Sequence, residues 1–287
     1  MPSYSLSFDV WLFAIALGTS AFGGMLGMAS GIFIVPVLTI FGHVDIRLAI
    51  GASIVSVIAC SCAGAAPALR ARLTNIRLAV VLETATTLGA LTGVLLGGIV
   101  PARILYLVFA LILAVSAQQM LMRRHETPRV PPMDHDARRL DVDGSYPDPA
   151  LGVEVPYGVT RLPLGMGLMY GAGIISAMLG IGSGVLKIPA MDTALRLPIK
   201  VSTATSNFMI GVTAAASGGA YLVRGDIIPA MAGPVALGSV FGAILGAHIL
   251  TRFSNKALRV LFVAVLALLA VEMLSIAAGV KGLGGGG

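Results

Sequence analysis

The sequence predicts an all-α fold, a polytopic transmembrane helical bundle built from two homologous repeats, and three observations predict it. Hydrophobic residues make up 57% of the 287 residues and charged residues only 11%, whereas roughly a quarter of the residues in a soluble domain are charged. The apolar residues form long runs, unlike the roughly ten-residue alternating segments of a membrane β-barrel. Motifs in the first group of runs return in the second.

The long apolar runs divide the chain into two repeats joined by a polar segment. We predict a first transmembrane repeat over 8–122 and a second over 162–279. The segment 123–161 is rich in arginines, acidic residues and prolines. Because such a composition cannot cross lipid, this segment is predicted to be a linker. Residues 280–287 end in four glycines and are predicted to be a flexible tail.

The repeats are recognised by matching motifs at a constant offset. The pattern Met-Leu-Gly, Ser-Gly and Pro in 25–36 reappears 153 residues later in 178–189. The same offset relates Ser53 to Ser206. Glycines at four-residue spacing let helices approach closely in lipid. Two such sets are separated by an offset of 149, which predicts one short insertion or deletion between the repeats. The sets are Gly89, Gly93 and Gly97 in the first repeat and Gly238, Gly242 and Gly246 in the second.

The relative orientation of the repeats depends on how their first segments cross the membrane. Segments 8–41 and 162–195 are each interrupted by a Gly/Ser cluster, and each would be about 50 Å long as one helix, against about 30 Å of hydrocarbon. If each crosses once, the loops carry 11 Lys and Arg on one side and 7 on the other. If each returns, the counts are 14 and 4. The positive-inside rule favours the second arrangement.

The returning arrangement predicts inverted repeats with broken or re-entrant helices. The linker 123–161 is then cytoplasmic and both termini lie outside. Inverted repeats with discontinuous helices hold their substrate near the membrane midplane, where the broken ends meet. Helix N-termini favour anions, and we predict that 30–31 and 183–184, both Ser-Gly, open the two half-helices.

Lys187 is the strongest single candidate for a substrate contact. It follows Ser183 by one helical turn, and a lysine in an apolar segment costs about 3 kcal/mol on insertion scales, so such residues are usually functional. The alternatives are that Lys187 extends to the membrane interface or pairs with Asp192. Its counterpart in the first repeat is Ile34, so the predicted site is asymmetric.

A second polar cluster opens the next apolar run, and its first-repeat partner is Ser53. The alternative for such hydroxyls is a hydrogen bond to the preceding turn of their own helix. Glu83 is the candidate for carrying a proton if transport is proton-coupled. The second cluster consists of Ser202, Thr203, Thr205, Ser206 and Asn207.

No arrangement typical of an enzyme, metal site or nucleic-acid-binding protein occurs in the sequence. The histidines are scattered, and neither a nucleophile elbow nor a phosphate-binding loop is present. We therefore predict a protein that is not an enzyme, with no catalytic residue, cofactor, bound metal or nucleic-acid partner. Its net charge of +6 is attributed to basic cytoplasmic loops.

The glycine-rich motifs resemble those of the sulfite exporter TauE/SafE family, also called toluene sulfonate uptake permeases. The resemblance rests on 27–31 followed by Val-Pro, on the stronger copy 180–184 followed by Lys-Ile-Pro, and on 204–208. It implies transport of sulfite, sulfoacetate or another organosulfonate, commonly outward across the bacterial inner (plasma) membrane. It also implies anion contacts for the glycine-rich turns, Lys187 and the Thr-Ser pair 205–206.

The sequence therefore predicts a secondary transporter that exports a small sulfur-containing anion by alternating access, with protons or another ion as possible coupling partners and lipid around it. The alternatives are a proton- or cation-coupled carrier of a different small solute and a membrane receptor or scaffold. Glu83 is the predicted proton-coupling residue. The predicted substrate-binding residues are Gly27, Ser30, Gly31, Ser53, Gly180, Gly182, Ser183, Gly184, Lys187, Thr205, Ser206 and Asn207.

Overall fold

The computed structural model describes residues 6–25, 30–122, 140–148, 153–250 and 255–279. Within these ranges the chain forms ten helices and one two-stranded sheet: α1 (Leu6–Met25), α2 (Gly31–Ile40), α3 (Ile46–Arg70), α4 (Ile76–Ile99), α5 (Ala102–Met122), β1 (Gly144–Asp148), β2 (Val153–Tyr157), α6 (Leu162–Leu179), α7 (Gly184–Thr193), α8 (Ile199–Val223), α9 (Pro229–Leu250) and α10 (Asn255–Ala278). Six of these helices, α1, α3, α4, α5, α6 and α9, are long and apolar enough to cross a membrane. The predicted all-α polytopic bundle is confirmed.

Local sequence explains where several helices begin and where α6 stops. The side chain of Asp45 accepts a hydrogen bond of 2.9 Å from the Arg47 N–H at the start of α3. Asn75 accepts one of 3.0 Å from the Leu78 N–H at the start of α4, and such caps satisfy donors that a helix leaves free. Helix α6 ends because Gly180 takes a left-handed conformation with φ of 64°, which glycine adopts without steric cost.

In the first segment of each repeat, the half-helix after the break returns to the start of the long helix before it. In the second repeat, the Thr160 N–H, just before α6, donates a 3.2 Å hydrogen bond to the Leu195 carbonyl, just after α7. In the first repeat, Gly42 follows α2 and lies against the ring of Trp11 in α1, where a Cβ would stand 2.7 Å from the ring. Thus α1–α2 and α6–α7 are each a long helix followed by a half-helix that returns beside it.

The close helix contacts correct the predicted alignment of the glycines. Gly89 of α4 packs on the Tyr170 carbonyl of α6, and Gly242 of α9 packs on the Leu17 carbonyl of α1. Gly242 follows Gly89 by 153 residues, and Tyr170 follows Leu17 by the same number, so the two contacts are equivalent. No insertion or deletion therefore separates the repeats here, and the predicted offset of 149 was wrong. Glycines spaced by four look identical after a shift of one turn, and only their packing partners fix the register.

Two pairs of equivalent helices from the two repeats run in opposite directions. Along the interface of α3 and α8, Ile54 lies against Gly218 whereas Ser61 lies against Gly211, so the two helices are antiparallel. At the interface of α5 and α10, the Arg103 guanidinium near the start of α5 donates 2.9 Å to the Ala277 carbonyl near the end of α10. Opposite directions for equivalent helices are what an inverted repeat requires, and the side of the membrane on which each end lies stays a prediction.

The linker contains a folded element that its composition did not predict. Strands β1 and β2 pair antiparallel, with Gly144 opposite Tyr157. Four side chains in and beside these strands are buried in a hydrophobic cluster with the ends of α4 and α8 and the loop after α7. Residues 123–139 and 149–152 of the linker, and the predicted tail 280–287, lie outside the described residues. The four buried side chains are Val142, Tyr146, Tyr157 and Val159.

Candidate functional site

The two helix breaks meet inside the bundle. Gly31, the first residue of α2, touches the turn that precedes α7, so that an added Cβ would overlap the Gly180 carbonyl oxygen and stand 2.9 Å from the Ile181 carbonyl carbon. The Ser53 hydroxyl donates a 2.7 Å hydrogen bond to the same Gly180 carbonyl. Three of the predicted site residues are therefore in mutual contact. Gly27, also predicted, lies outside the described residues.

The second repeat leaves buried hydroxyl groups without hydrogen-bond partners. Ser183 is the N-cap residue of α7, yet its side chain makes no capping bond. Its Oγ and those of Ser202 and Ser206 are buried and have no partner among the described residues. Because an unpaired buried hydroxyl loses its hydration without compensation, these groups are donors available to a bound ligand. Gly182, with φ of 67°, and Gly184 flank Ser183 in the turn that opens α7.

The corresponding hydroxyls of the first repeat are fully used within the protein. Ser30 precedes α2 and shares a 2.6 Å hydrogen bond with the hydroxyl of Ser56. Ser56 also pairs with Ser239 at 2.5 Å, and Ser239 donates 2.7 Å to the Val235 carbonyl. Each hydroxyl proton in this chain has an acceptor, so the chain holds helices α2, α3 and α9 together and offers little to a ligand.

Lys187 lies in the protein interior, paired with Glu83. Its side chain is 0% exposed, which excludes the alternative that it extends to the membrane interface. The amine donates 3.2 Å to Glu83 Oε2 and 2.6 Å to Thr213 Oγ1. Thr213 in turn donates to Glu83 Oε1, and Thr87 donates to the same oxygen at 3.3 Å. The predicted anion contact and the predicted proton carrier thus belong to one polar cluster.

The buried ion pair of Lys187 and Glu83 is better explained by a function than by a contribution to stability. Removing two charges from water costs several kcal/mol per ion, and the attraction within the pair often fails to repay it. Charges inside a membrane bundle are therefore rare and generally mark a substrate or proton site. Lys187 and Glu83 occupy α7 and α4, 104 residues apart, so a change at one directly affects the other.

Thr213 is a residue that the sequence prediction missed. Its hydroxyl also bonds the Met209 carbonyl at 3.0 Å, the ordinary behaviour of threonine in a membrane helix. No sequence signal distinguishes Thr213 from the other small polar residues of α8. Only the packing of α8 on α4 and α7 reveals that it links the Lys187 amine to the Glu83 carboxylate.

Thr205 and Asn207, two more predicted contacts, lie in a different layer of the bundle. The Thr205 hydroxyl accepts a 3.1 Å hydrogen bond from the Asn75 N–H, and the Asn207 carbonyl accepts one from Ser61. Asn75 precedes Glu83 by eight residues, which is about 12 Å along a helix. Thr205 therefore lies on the linker side of the charged cluster, and Thr213 takes the position beside Lys187.

Membrane-length helices, two half-helices whose breaks meet inside the bundle and a buried charge pair together define a polytopic membrane transporter. The family model for the sulfite exporter TauE/SafE matches residues 12–273, and the chain belongs to that family. Because this is a family of membrane transporters, the prediction that the protein is not an enzyme is confirmed, and a receptor or scaffold is disfavoured.

A curated relative covers nearly the same length. The chain is 21% identical over 272 residues to the "Probable membrane transporter protein YunE" of Bacillus subtilis (strain 168), with 92% of this chain and 97% of the relative aligned. No solved structure matches the chain significantly. The similarity to this relative extends through both repeats and the linker between them.

Proposed function

We propose that this transporter is a secondary carrier that moves a small sulfur-containing anion, such as sulfite, sulfoacetate or another organosulfonate, outward across the bacterial inner membrane by alternating access. The observation that carries the proposal is the fully buried Lys187 one turn after Ser183, whose buried hydroxyl has no partner among the described residues. A cation, a free donor and a helix N-terminus on one half-helix are a combination suited to an anion.

The proposed binding step exchanges one partner of Lys187 for another. The substrate anion takes the place of Glu83 at the Lys187 amine, and the free hydroxyl of Ser183, one helical turn before Lys187, donates to one of its oxygens. A sulfonate or sulfite group has three oxygens and can accept both of these bonds. The break at 180–183, which touches Gly31 of the other repeat, then supports the substrate between the two repeats.

The contact between Lys187 and Glu83 also supports a role for protons, and it favours proton coupling as the second candidate. When an anion occupies the amine, Glu83 loses its cation, and a buried carboxylate without a partner is costly. Taking up a proton removes that cost, so one proton would accompany each anion. The same pair would serve a proton-coupled carrier of a different small solute.

The test of the anion site uses a double variant, because a single substitution leaves an unpaired buried charge. Lys187→Met with Glu83→Gln removes both charges while conserving side-chain volume, so we expect it to fold with a melting temperature close to that of the native protein. In proteoliposomes loaded or assayed with sulfite, sulfoacetate, taurine or thiosulfate, transport should be lost. Thr193→Ala, at an exposed position on the same half-helix, is the matched control and should transport normally.

One outcome would contradict the site, one would reveal a general sensitivity of α7 to substitution, and one would redirect the proposal. Transport at the native rate by the folded double variant would remove Lys187 from the mechanism. Native transport that is abolished equally by Thr193→Ala would mean that α7 tolerates no substitution, and the loss would then say nothing about charge. Failure of the native protein to transport any of the four anions would instead redirect the proposal to a different solute.

Proton coupling is tested by the pH dependence of transport. Glu83→Gln keeps a hydrogen-bonding side chain of the same size but cannot take up a proton. We expect transport by the native protein to depend on pH and on an imposed proton gradient, and transport by Glu83→Gln to lose both dependences. An unaltered pH profile in Glu83→Gln would remove Glu83 as the proton carrier while leaving the anion site intact.

We further propose that the repeats are inverted, with the linker cytoplasmic and the termini outside. The antiparallel contacts of α3 with α8 and the 14 to 4 distribution of basic residues support this orientation. A cysteine introduced at exposed Asp141 should react with an impermeant thiol reagent in inside-out membrane vesicles and stay unlabelled in intact cells. Labelling in intact cells would overturn the orientation.

A further inference from the structure

The hairpin formed by β1 and β2 covers the end of the bundle beneath the charged cluster. Its buried side chains share one hydrophobic cluster with Leu78 and Leu82 of α4, with Leu195 and Leu197 in the loop after α7, and with Val201 of α8. Helix α4 carries Glu83, α7 carries Lys187 and α8 carries Thr213. The hairpin belongs to the linker that precedes the second repeat.

Asn75 joins the hairpin to helices α4 and α8 through four hydrogen bonds. Its side-chain oxygen caps α4, and its side-chain nitrogen donates 2.6 Å to the Val142 carbonyl and 3.1 Å to the Tyr157 hydroxyl. Its backbone N–H donates 3.1 Å to the Thr205 hydroxyl. One residue therefore contacts a helix end, both flanks of the hairpin and a predicted substrate-binding residue.

The half-helix that carries Lys187 is attached to the same structure. The Thr160 N–H, three residues after β2, bonds the Leu195 carbonyl at 3.2 Å, and the Thr160 hydroxyl lies 3.3 Å from the Ala194 carbonyl. Lys187 precedes the end of α7 by six residues, about 9 Å along the helix. A displacement of α7 on substrate binding would therefore act on the hairpin directly.

The polar contacts that hold the hairpin against the bundle suit an interface that opens. A two-stranded hairpin is at best marginally stable alone, so this one depends on its docking. Several of its fixing contacts are polar or partly exposed and can be exchanged for water, among them the bonds of Asn75 and the ion pair of Arg77 with Asp141, whose side chains are 68% and 77% exposed. Burial raises the pKa of the Tyr157 phenol above its usual value, so its hydroxyl remains a neutral partner of Asn75 at physiological pH.

We propose that the hairpin is the linker-side gate of the transport path. In the described conformation it is closed over the ends of α4 and α8 and the loop after α7. It opens when α7 shifts and the bonds of Asn75 to Val142 and Tyr157 are released. This inference rests on the proposed function, because a gate needs a path to close.

The first experiment tethers the closed hairpin at a position outside the transport site. Arg77→Cys and Asp141→Cys, in a background with Cys60→Ala and Cys62→Ser, are joined by a short reducible thiol cross-linker in proteoliposomes. Transport should fall to background on cross-linking and return on reduction, whereas either single cysteine should be unaffected by the reagent. Full transport by the cross-linked protein would make the hairpin a static brace and overturn the gate.

The second experiment measures opening without any substrate, so its failure is distinguishable from failure of the proposed function. Ser202→Cys places a thiol at a buried position of α8, and its reaction rate with an impermeant reagent in inside-out vesicles reports access from the linker side. Asn75→Ser keeps a hydroxyl that caps α4 but loses the amide donors to the hairpin. We expect the reaction to accelerate about tenfold, as for the loss of one or two hydrogen bonds.

Tyr157→Phe removes one of the same bonds and should accelerate the reaction by a smaller factor. Ser145→Ala, which removes a bond to Glu154 within the exposed side of the hairpin, is the matched control and should leave the rate unchanged. An unchanged rate in both Asn75→Ser and Tyr157→Phe would overturn the gate even if the protein transports sulfite. An accelerated rate in a protein that transports none of the tested anions would keep the gate and reject only the substrate.

Discussion

The two repeats share a backbone plan and differ in what their buried hydroxyls do. Ser30 and Ser53 in the first repeat each have a hydrogen-bond partner within the protein. Their counterparts Ser183 and Ser206 have none among the described residues. The first repeat therefore uses these positions to hold the bundle together, while the second keeps the same positions free.

The buried cation follows the same division, whereas its partner Glu83 lies in the first repeat. At the offset of 153, Lys187 and Thr213 of the second repeat correspond to Ile34 and Cys60, both buried in the first repeat. A duplicated fold thus supplies two half-helices, but among the described residues only α7 combines a cation, Lys187, with an N-cap hydroxyl that has no partner. We therefore expect the proposed anion site to be single in each chain, formed mainly by the second repeat and supported by contacts from the first.

The largest effect is expected where the two breaks touch. Gly31→Ala would place a methyl group against the Gly180 carbonyl and 2.7 Å from the Ser53 hydroxyl. Because the obstacle is backbone, the bundle must shift, at a cost of about 3 kcal/mol. We expect a large fall in the melting temperature and in the monodisperse fraction after detergent extraction.

The matched control for that substitution is Gly171→Ala, on α6, where an added Cβ meets nothing within 4 Å. Alanine in a helix is more stable than glycine by about 0.5–1 kcal/mol, so this variant should be at least as stable as the native protein. Equal stability of Gly31→Ala and Gly171→Ala would mean that the breaks are not in contact.

A smaller effect is expected from Thr213, which links Lys187 to Glu83. Thr213→Val keeps the shape but removes the hydroxyl, so the amine and carboxylate each lose one hydrogen bond. Losing such bonds to charged groups costs about 1.5–3 kcal/mol, and we expect substrate affinity to change by at least about tenfold. Affinity is measured by the shift of the transport KM in proteoliposomes.

Two further variants distinguish the role of the Thr213 hydroxyl from general damage to the fold. Thr213→Ser restores the hydroxyl and should restore KM. Cys60→Ala changes the equivalent buried position of the first repeat and should leave KM unchanged, because no charge pair lies there. If Cys60→Ala altered KM as much as Thr213→Val, the two repeats would contribute equally and the proposed asymmetry would fail.

The sequence was sufficient for the features that depend on local pattern. Composition predicted the membrane bundle and the motif offset predicted the repeats. Apolar segments that are too long for one membrane crossing and are interrupted by Gly/Ser clusters predicted the broken helices. The positions of Gly31, Ser53 and Gly180 at one junction follow from that reasoning. Such features depend on hydrophobicity, helix length and backbone freedom, which residue types determine almost directly.

Features that depend on long-range packing were not predictable. Lys187 and Glu83 were both selected, but nothing in the sequence joins two residues on α7 and α4. The hairpin was missed because its strands are short and contain Pro147 and Pro156, and proline disfavours a strand assignment. These strands persist because their hydrophobic side chains dock on the bundle.

The smallest effects compare one hydroxyl in each repeat. Ser30→Ala removes a hydroxyl that bonds Ser56 and leaves that partner short of a donor, so the free energy of unfolding should fall by about 1 kcal/mol while KM changes little. Ser183→Ala removes a hydroxyl that has no partner in the part of the chain that the structure describes, so stability should be unchanged or slightly higher, and KM should rise several-fold. Measuring melting temperature and KM on both variants separates a bond that holds the fold from a donor reserved for the substrate. The reverse pattern, with Ser30→Ala raising KM and Ser183→Ala lowering stability, would assign the anion site to the first repeat.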